Sequence, residues 1–164
     1  MLNNMNLIVI GIGEMGVDNA PGSTLKTFAL GSCVGVVILA PRLQTAGLLH
    51  IALPDSSINQ KLALERPGYF ADTGIPILIS KIAAYGCQRD DLVVKIAGGA
   101  NIMDPENRFN IGVKNVLAVK KHLWRYRLGP VSESIGDRIS RTLTVFVETG
   151  KVIIFSPGNG EWEL

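Results

Sequence analysis

The sequence predicts a single α+β domain in which two helices pack together against mostly antiparallel strands. Three observations carry that prediction. Short runs rich in β-branched and aliphatic residues, bounded by glycine and proline, occupy both ends of the chain. Between them lie two stretches of helical period, one through Ile75, Leu78, Ile79, Ile82 and Ala83, the other through Val113, Val116, Leu117 and Leu123. With 164 residues, 47% of them hydrophobic, the chain is long enough to bury one core without covalent staples.

Composition narrows the function classes. A net charge of +2 is too small to argue for a nucleic-acid or membrane surface. The two cysteines, Cys33 and Cys87, form neither a disulfide framework nor a zinc-binding spacing, and no cofactor or metal is expected. Free thiols suit a reducing compartment. The polar start, Met1 to Asn6, lacks the basic head and apolar core of a signal peptide. No apolar run approaches the ~18 residues of a membrane span. The expectation is a soluble, cytoplasmic protein, with residues 1–6 and 157–164 as loose tails.

Taken in order, Leu7 to Ile10 reads as a short strand, followed by Gly11-Ile12-Gly13-Glu14-Met15-Gly16. That is a literal GxGxxG, but no helix can open at its last glycine. Val17 to Ser23 contains Pro21-Gly22, and no acidic residue stands about 20 positions further on. A tight turn is the better reading. Asp55 to Pro67 is polar with one possible helical turn, reads as a mobile loop, and by its closeness to His50 is a candidate rim for a site. Asp72 or Thr73 can cap a helix running to Gly86, with Cys87 a structural residue at its end. Leu92 to Ala97 is a strand closed by Gly98-Gly99, where glycines permit close backbone approach, anion binding or simple packing. Asn110 can cap the second helix, whose other face carries Lys114, Lys120, Lys121, His122 and Arg125 as a solvated face or, more sharply, a dock for an acidic partner. Val131 to Phe155 reads as strands separated by Gly136-Asp137 and Thr149-Gly150 turns.

The chemistry concentrates between Leu30 and Pro54, which hold one of two cysteines and one of two histidines. Val34 to Leu39 and Thr45 to Leu53 read as paired strands. A two-residue loop at Pro41-Arg42 would set Cys33 directly opposite His50, with Cβ atoms ~5 Å apart. A four-residue loop leaves them as diagonal neighbours on one face, and a three-residue loop puts them on opposite faces unless a bulge intervenes. Pro41 cannot take the positive φ of a type I′ turn, which favours a loop built around a type I turn. A thiol beside an imidazole can become a nucleophile, and Gly31-Ser32 place Cys33 at a loop-to-strand junction where amides can bind an oxyanion. A lone strand cysteine is ordinarily a small buried hydrophobe, and a lone histidine a satisfied core group. On the pairing alone that structural reading stays favoured.

Further residues carry a resemblance. Thr27, Leu30-Gly31-Ser32-Cys33-Val34, Gly47, His50 and Leu53-Pro54 resemble the CheD family of chemoreceptor glutamine deamidases. The match continues through Pro67-Gly68-Tyr69, Ala71-Asp72-Thr73, Lys95-Ile96-Ala97-Gly98-Gly99-Ala100, Asn110-Ile111-Gly112 with Asn115, and Glu148-Thr149-Gly150-Lys151, so that it spans roughly residues 8–155. It departs at Ile135 to Arg141, where the family usually has a double glycine and two closely spaced arginines. The resemblance implies a three-layer α/β/β sandwich with the site near one edge, Cys33 as nucleophile, His50 as its base and Thr27 completing the site. It also implies chemoreceptor glutamines as substrate, with Gly31 and Ser32 shaping the site. An alternative role is a non-catalytic adaptor binding chemoreceptors or a CheC-type phosphatase. A purely structural domain with Cys33 buried is a third reading.

Overall fold

The computed structural model describes residues 5–164. Its centre is a five-stranded sheet in the order β2-β5-β4-β6-β7, formed by β2 (Met15–Asp18), β4 (Val34–Ala40), β5 (Thr45–Ile51), β6 (Val93–Gly98) and β7 (Pro130–Ile135). Every residue of β4 and β5 is buried, because both faces of this sheet are covered. That is why these strands read as unbroken apolar runs rather than alternating ones.

On one face lie α2 (Ala71–Ala83) and α3 (Ile111–Trp124), which follow the short helix α1 (Gln60–Glu65). Val36, Ile38, Leu49 and Ile51 pack there against Ile75, Leu78, Val116 and Val119. On the other face lies a second sheet, ordered β1-β3-β8-β9-β10, from β1 (Leu7–Val9), β3 (Thr24–Leu30), β8 (Arg141–Phe146), β9 (Lys151–Ser156) and β10 (Gly160–Glu163). Val37, Leu39 and Leu48 meet Leu25, Leu143, Val145 and Ile154 in this second core. The α/β/β layering is the expected one, and pairing is antiparallel except for β1 with β3 and β6 with β7. The β6–β7 pair is parallel because α3 carries the chain back across the sheet.

Several local expectations are settled or corrected. The β4–β5 connection is four residues long, with a tight 3₁₀ turn at Pro41–Leu43 and Gln44 left-handed at φ 46°. Proline's fixed φ suits the first position of such a turn. The register therefore sets Gly35, not Cys33, opposite His50. Asp55 to Pro67 is an ordered segment with a turn at Ser56–Ile58 followed by α1, whose first turn is capped by Asn59. Neither Asp72 nor Thr73 caps α2. The Asp72 carboxylate instead accepts from the Ser56 amide and hydroxyl, and Thr73 donates to the Pro67 carbonyl.

Asn110 precedes α3 in a left-handed conformation but makes no side-chain cap. The preceding turn is held by Asp104, whose carboxylate accepts from the amides of Arg108, Phe109 and Asn110. The buried stripe of α3 runs through Gly112, Asn115, Val116, Val119, His122 and Leu123, so Val113 and Leu117 face outward and His122 leaves the solvated face. After Ser156 the chain turns rather than fraying. β10 pairs with β9, and Trp162 packs against the second core. Of the two expected tails, residues 1–4 lie outside the described part of the chain.

Candidate active site

Three strands from two sheets build the site. Thr27 lies in β3 of the outer sheet and His50 in β5 of the central one, and their side chains meet inside the sandwich. Cys33 stands just before β4, partly buried against the same inter-sheet core. With Gly35 opposite His50, Cys33 is its same-face diagonal neighbour, the geometry expected of a four-residue loop.

A bulge makes this possible. The register of β3 on β8 shifts between Thr27 and Leu30, and Ala29 takes φ 54°. Thr27 and Leu30 thus both point inward although they are an odd three positions apart, and the chain bends toward Gly31-Ser32-Cys33. Nothing in the local sequence Phe28-Ala29 announces this bulge.

The hydrogen bonds at Thr27 settle the state of the imidazole. Its hydroxyl donates to the Ile10 carbonyl at 2.7 Å and also lies 2.7 Å from His50 Nδ1. A hydroxyl has one hydrogen to give. With that hydrogen on Ile10, Thr27 Oγ1 accepts from Nδ1–H, and Nε2 is left carrying the lone pair. That Nε2 is buried and has no hydrogen-bond partner. Both backbone groups of the histidine are held along one edge of β5, its carbonyl by the Gly13 amide at 2.8 Å and its amide by the Glu14 carbonyl at 3.1 Å. Burial lowers the His50 pKa to about 4, against a partly opposing pull from the Glu14 carboxylate. Burial likewise pushes the Cys33 thiol up, while its own backbone amide favours the thiolate. Thiol and imidazole are therefore both neutral near pH 7.

The loop that presents Cys33 is stitched down by its carbonyls. Gly31 O accepts from Ala100 N at 2.8 Å, Ser32 O from Asn115 Nδ2 at 2.9 Å, and Cys33 O from Gly99 N at 2.8 Å. Apart from the Cys33 amide's approach to its own sulfur, the amides of Ser32 and Cys33 donate to no acceptor of another described residue. Such a pair of unpaired N–H groups beside a nucleophile can hold an oxyanion. The Gly98-Gly99 pair serves close approach: a Cβ on Gly98 would stand 2.2 Å from the Cys33 carbonyl oxygen, and Gly98 has φ 113°.

Cys33 opens onto a cleft of about 420 Å³. Gly31, Ser32 and Cys33 form one wall, and the chain from Gly99 to Val113 forms the other. The rim therefore comes from the segment between β6 and α3, and not from Asp55 to Pro67. The apolar Ile102, Met103 and Phe109, set in an otherwise polar loop, were the available signal. Part of the departing segment braces this rim, since Asn101 N donates to Asp137 O at 2.8 Å and Arg138 Nη2 to Pro105 O at 3.4 Å. Behind it, buried Arg141 donates to Ser134 Oγ and Gly136 O, with its pKa lowered by desolvation. Among the described residues no cluster of three His, Cys, Asp or Glu side chains is placed to hold a metal ion. Nor is any described helix long and apolar enough to cross a membrane.

The layered sheets gather a partly buried thiol, an imidazole of fixed tautomer and a hydroxyl, groups of the kind that thiol-dependent acyl chemistry uses. Comparison with known proteins makes the class specific. Residues 52–156 match the family model described as CheD chemotactic sensory transduction. The chain is 47% identical, over 98% of its length and the whole of the relative, to a probable chemoreceptor glutamine deamidase CheD of Syntrophotalea carbinolica. It is 37% identical, over 93% of its length and 94% of the relative, to the chemoreceptor glutamine deamidase CheD of Thermotoga maritima. The chain belongs to the CheD family.

Proposed function

We propose that this protein hydrolyses glutamine side chains of chemotaxis receptors to glutamate in the cytoplasm, with Cys33 as nucleophile, His50 as base and Thr27 holding the base in place. The observation that carries this reading is the buried, unpartnered Nε2 of His50, left as an acceptor by the Thr27 contact.

The geometry supports a full cycle. Nε2 takes the Cys33 thiol proton as sulfur attacks the carboxamide carbon, and the C–S bond forms as the C=O π pair moves to oxygen. The Ser32 and Cys33 amides hold that oxyanion. When it collapses, the C–N bond breaks, the imidazolium delivers its proton to nitrogen, and ammonia leaves. Water then attacks the thioester with His50 again as base, which releases glutamate and restores the thiol. A neutral resting pair suits this order, because charge develops only when the amide is engaged. Gly31 contributes through its anchored carbonyl and the cleft wall.

A second reading is supported by the apolar side chains around the cleft, where Met103 is 92% and Phe109 66% exposed. A surface of that kind fits protein docking, whether of a receptor helix or of a CheC-type phosphatase bound without turnover. Incubation of a glutamine-bearing receptor fragment with the protein, followed by mass spectrometry of its peptides, tests the primary reading. Conversion of defined glutamines to glutamate is expected. Stoichiometric binding with no conversion would leave the adaptor role.

A further inference from the structure

Asn115 is fully buried on α3, and its single Nδ2 reaches two carbonyls, Ser32 O at 2.9 Å and Ala52 O at 2.9 Å. The first belongs to the loop that presents Cys33. The second lies two residues beyond His50. Donation to both carbonyls settles the amide orientation and leaves Oδ1 buried and unpartnered. An asparagine in that condition is costly, since an unmet buried acceptor forfeits the hydrogen bonds it had in water. An apolar residue would fill the space without that penalty. The cost is understandable if the two bonds do something packing alone could not.

What they do follows from peptide geometry. Ser32 C=O and Cys33 N–H belong to one planar trans unit and point in opposite directions. Pulling Ser32 O toward α3 therefore turns the Cys33 N–H away from α3 and toward its own sulfur. The neighbouring carbonyls of Gly31 and Cys33 are held by Ala100 N and Gly99 N, so the Ser32–Cys33 peptide is the one whose orientation depends on a side chain. Gly112 lets the helix come close enough for this reach, because a Cβ there would stand 2.5 Å from the Gly99 oxygen.

We infer that Asn115 is a positioning residue, which aims the Cys33 amide at the reacting carbonyl and fixes the spacing between the Cys33 loop and the end of the His50 strand. It touches neither substrate nor reacting atoms, and acts through the two carbonyls. The inference rests on the deamidase reading for its catalytic consequence, but its effect on the Cys33 thiol is independent of any substrate.

The test uses Asn115→Ala and Asn115→Ser in the full chain, with two readouts. Against a receptor fragment, kcat should fall about 10–100-fold with KM within about threefold, less than the loss on deleting an oxyanion donor outright. In the absence of substrate, the pH profile of Cys33 alkylation by iodoacetamide should move to higher pH in Asn115→Ala, because the amide that favours the thiolate is no longer aimed. Asn115→Ser, whose hydroxyl spans at most one carbonyl, should fall between. A merely structural role would lower melting temperature and leave that profile in place, so an unchanged profile in folded Asn115→Ala overturns the inference. If wild type converts no glutamine, the deamidase reading fails while the alkylation profile still decides the role of Asn115. Should both variants fail to fold, NMR couplings across hydrogen bonds from Asn115 Nδ2–H to the Ser32 and Ala52 carbonyl carbons in wild type decide it, and their absence overturns it.

Discussion

Thr27 Oγ1 and His50 Nδ1 lie 2.7 Å apart although they belong to different sheets. The contact joins the two β layers at a polar point beside the apolar core that lies between them. It also ties the state of the imidazole to sheet packing: the hydroxyl can accept from Nδ1–H only because its own hydrogen goes to Ile10 in the outer layer.

Thr27→Val keeps the shape and removes the hydroxyl. Ile10 O loses its donor and His50 Nδ1–H loses its acceptor, so stability should fall by about 1–3 kcal/mol. The ring is then free to take either tautomer, and deamidation should fall about 10–100-fold. Thr27→Ser retains the hydroxyl and should keep most of the rate. Urea midpoints and initial rates on a receptor fragment check both statements. Equal rates in Thr27→Val and wild type would remove Thr27 from the site.

The lowered pKa of His50 makes a prediction about acid. Folding takes the group from its ordinary 6.5 to about 4, so between those values the unfolded chain binds the extra proton and the folded chain does not. Stability from this group is therefore fully present above about pH 6.5 and is lost as pH falls toward 4. The displacement corresponds to about 3 kcal/mol. Urea denaturation of wild type and His50→Gln at pH 7, 5 and 4 should show wild type losing more on acidification. Parallel losses would mean that the imidazole is solvated.

Gly98→Ala tests the backbone cradle beneath Cys33. The added Cβ meets the Cys33 carbonyl oxygen at 2.2 Å, and φ 113° is foreign to alanine. Strain of about 1–3 kcal/mol is expected from the backbone alone. Relief by shifting the Cys33 loop should cost activity out of proportion to the melting temperature. A variant that keeps its rate while losing only stability would show that the loop tolerates movement.

The legible and illegible parts of this fold divide along a physical line. β4 and β5 were visible because burial on both faces makes them unbroken apolar runs with proline and glycine at their ends. Alternation restricts a hairpin to registers that keep each face, but it leaves loop length open, and so the pairing was displaced by two. Cys33 and His50 were found because both lie on that one hairpin. Thr27 was named only through the family resemblance, because its contact with His50 depends on the packing of one sheet upon the other. On α3, polarity misled: His122 is buried while Val113 and Leu117 are exposed, since Gly112, packed on the Gly99 and Ala100 backbone, sets which face turns inward. The last strand was read as a tail because Pro157-Gly158-Asn159-Gly160 punctuates the chain just before a four-residue run.

Cys33→Ala separates catalysis from recognition. The substitution removes one sulfur at a partly exposed position on a cleft wall, so the fold should survive. Partner binding should persist, because stable recognition draws on a surface of about 800 Å² per partner and not on one thiol. Glutamine conversion should fall to background. Ser32 is the adjacent hydroxyl, but its carbonyl is tied to Asn115 and its side chain makes no hydrogen bond to His50. No neighbouring group is thus poised to replace the covalent nucleophile. The assay follows glutamine-to-glutamate conversion in a receptor fragment beside a pull-down with the same fragment. Retained binding with lost conversion assigns the chemistry to Cys33. Conversion that continues in Cys33→Ala would show that the amide is attacked by water directly and that no thioester forms.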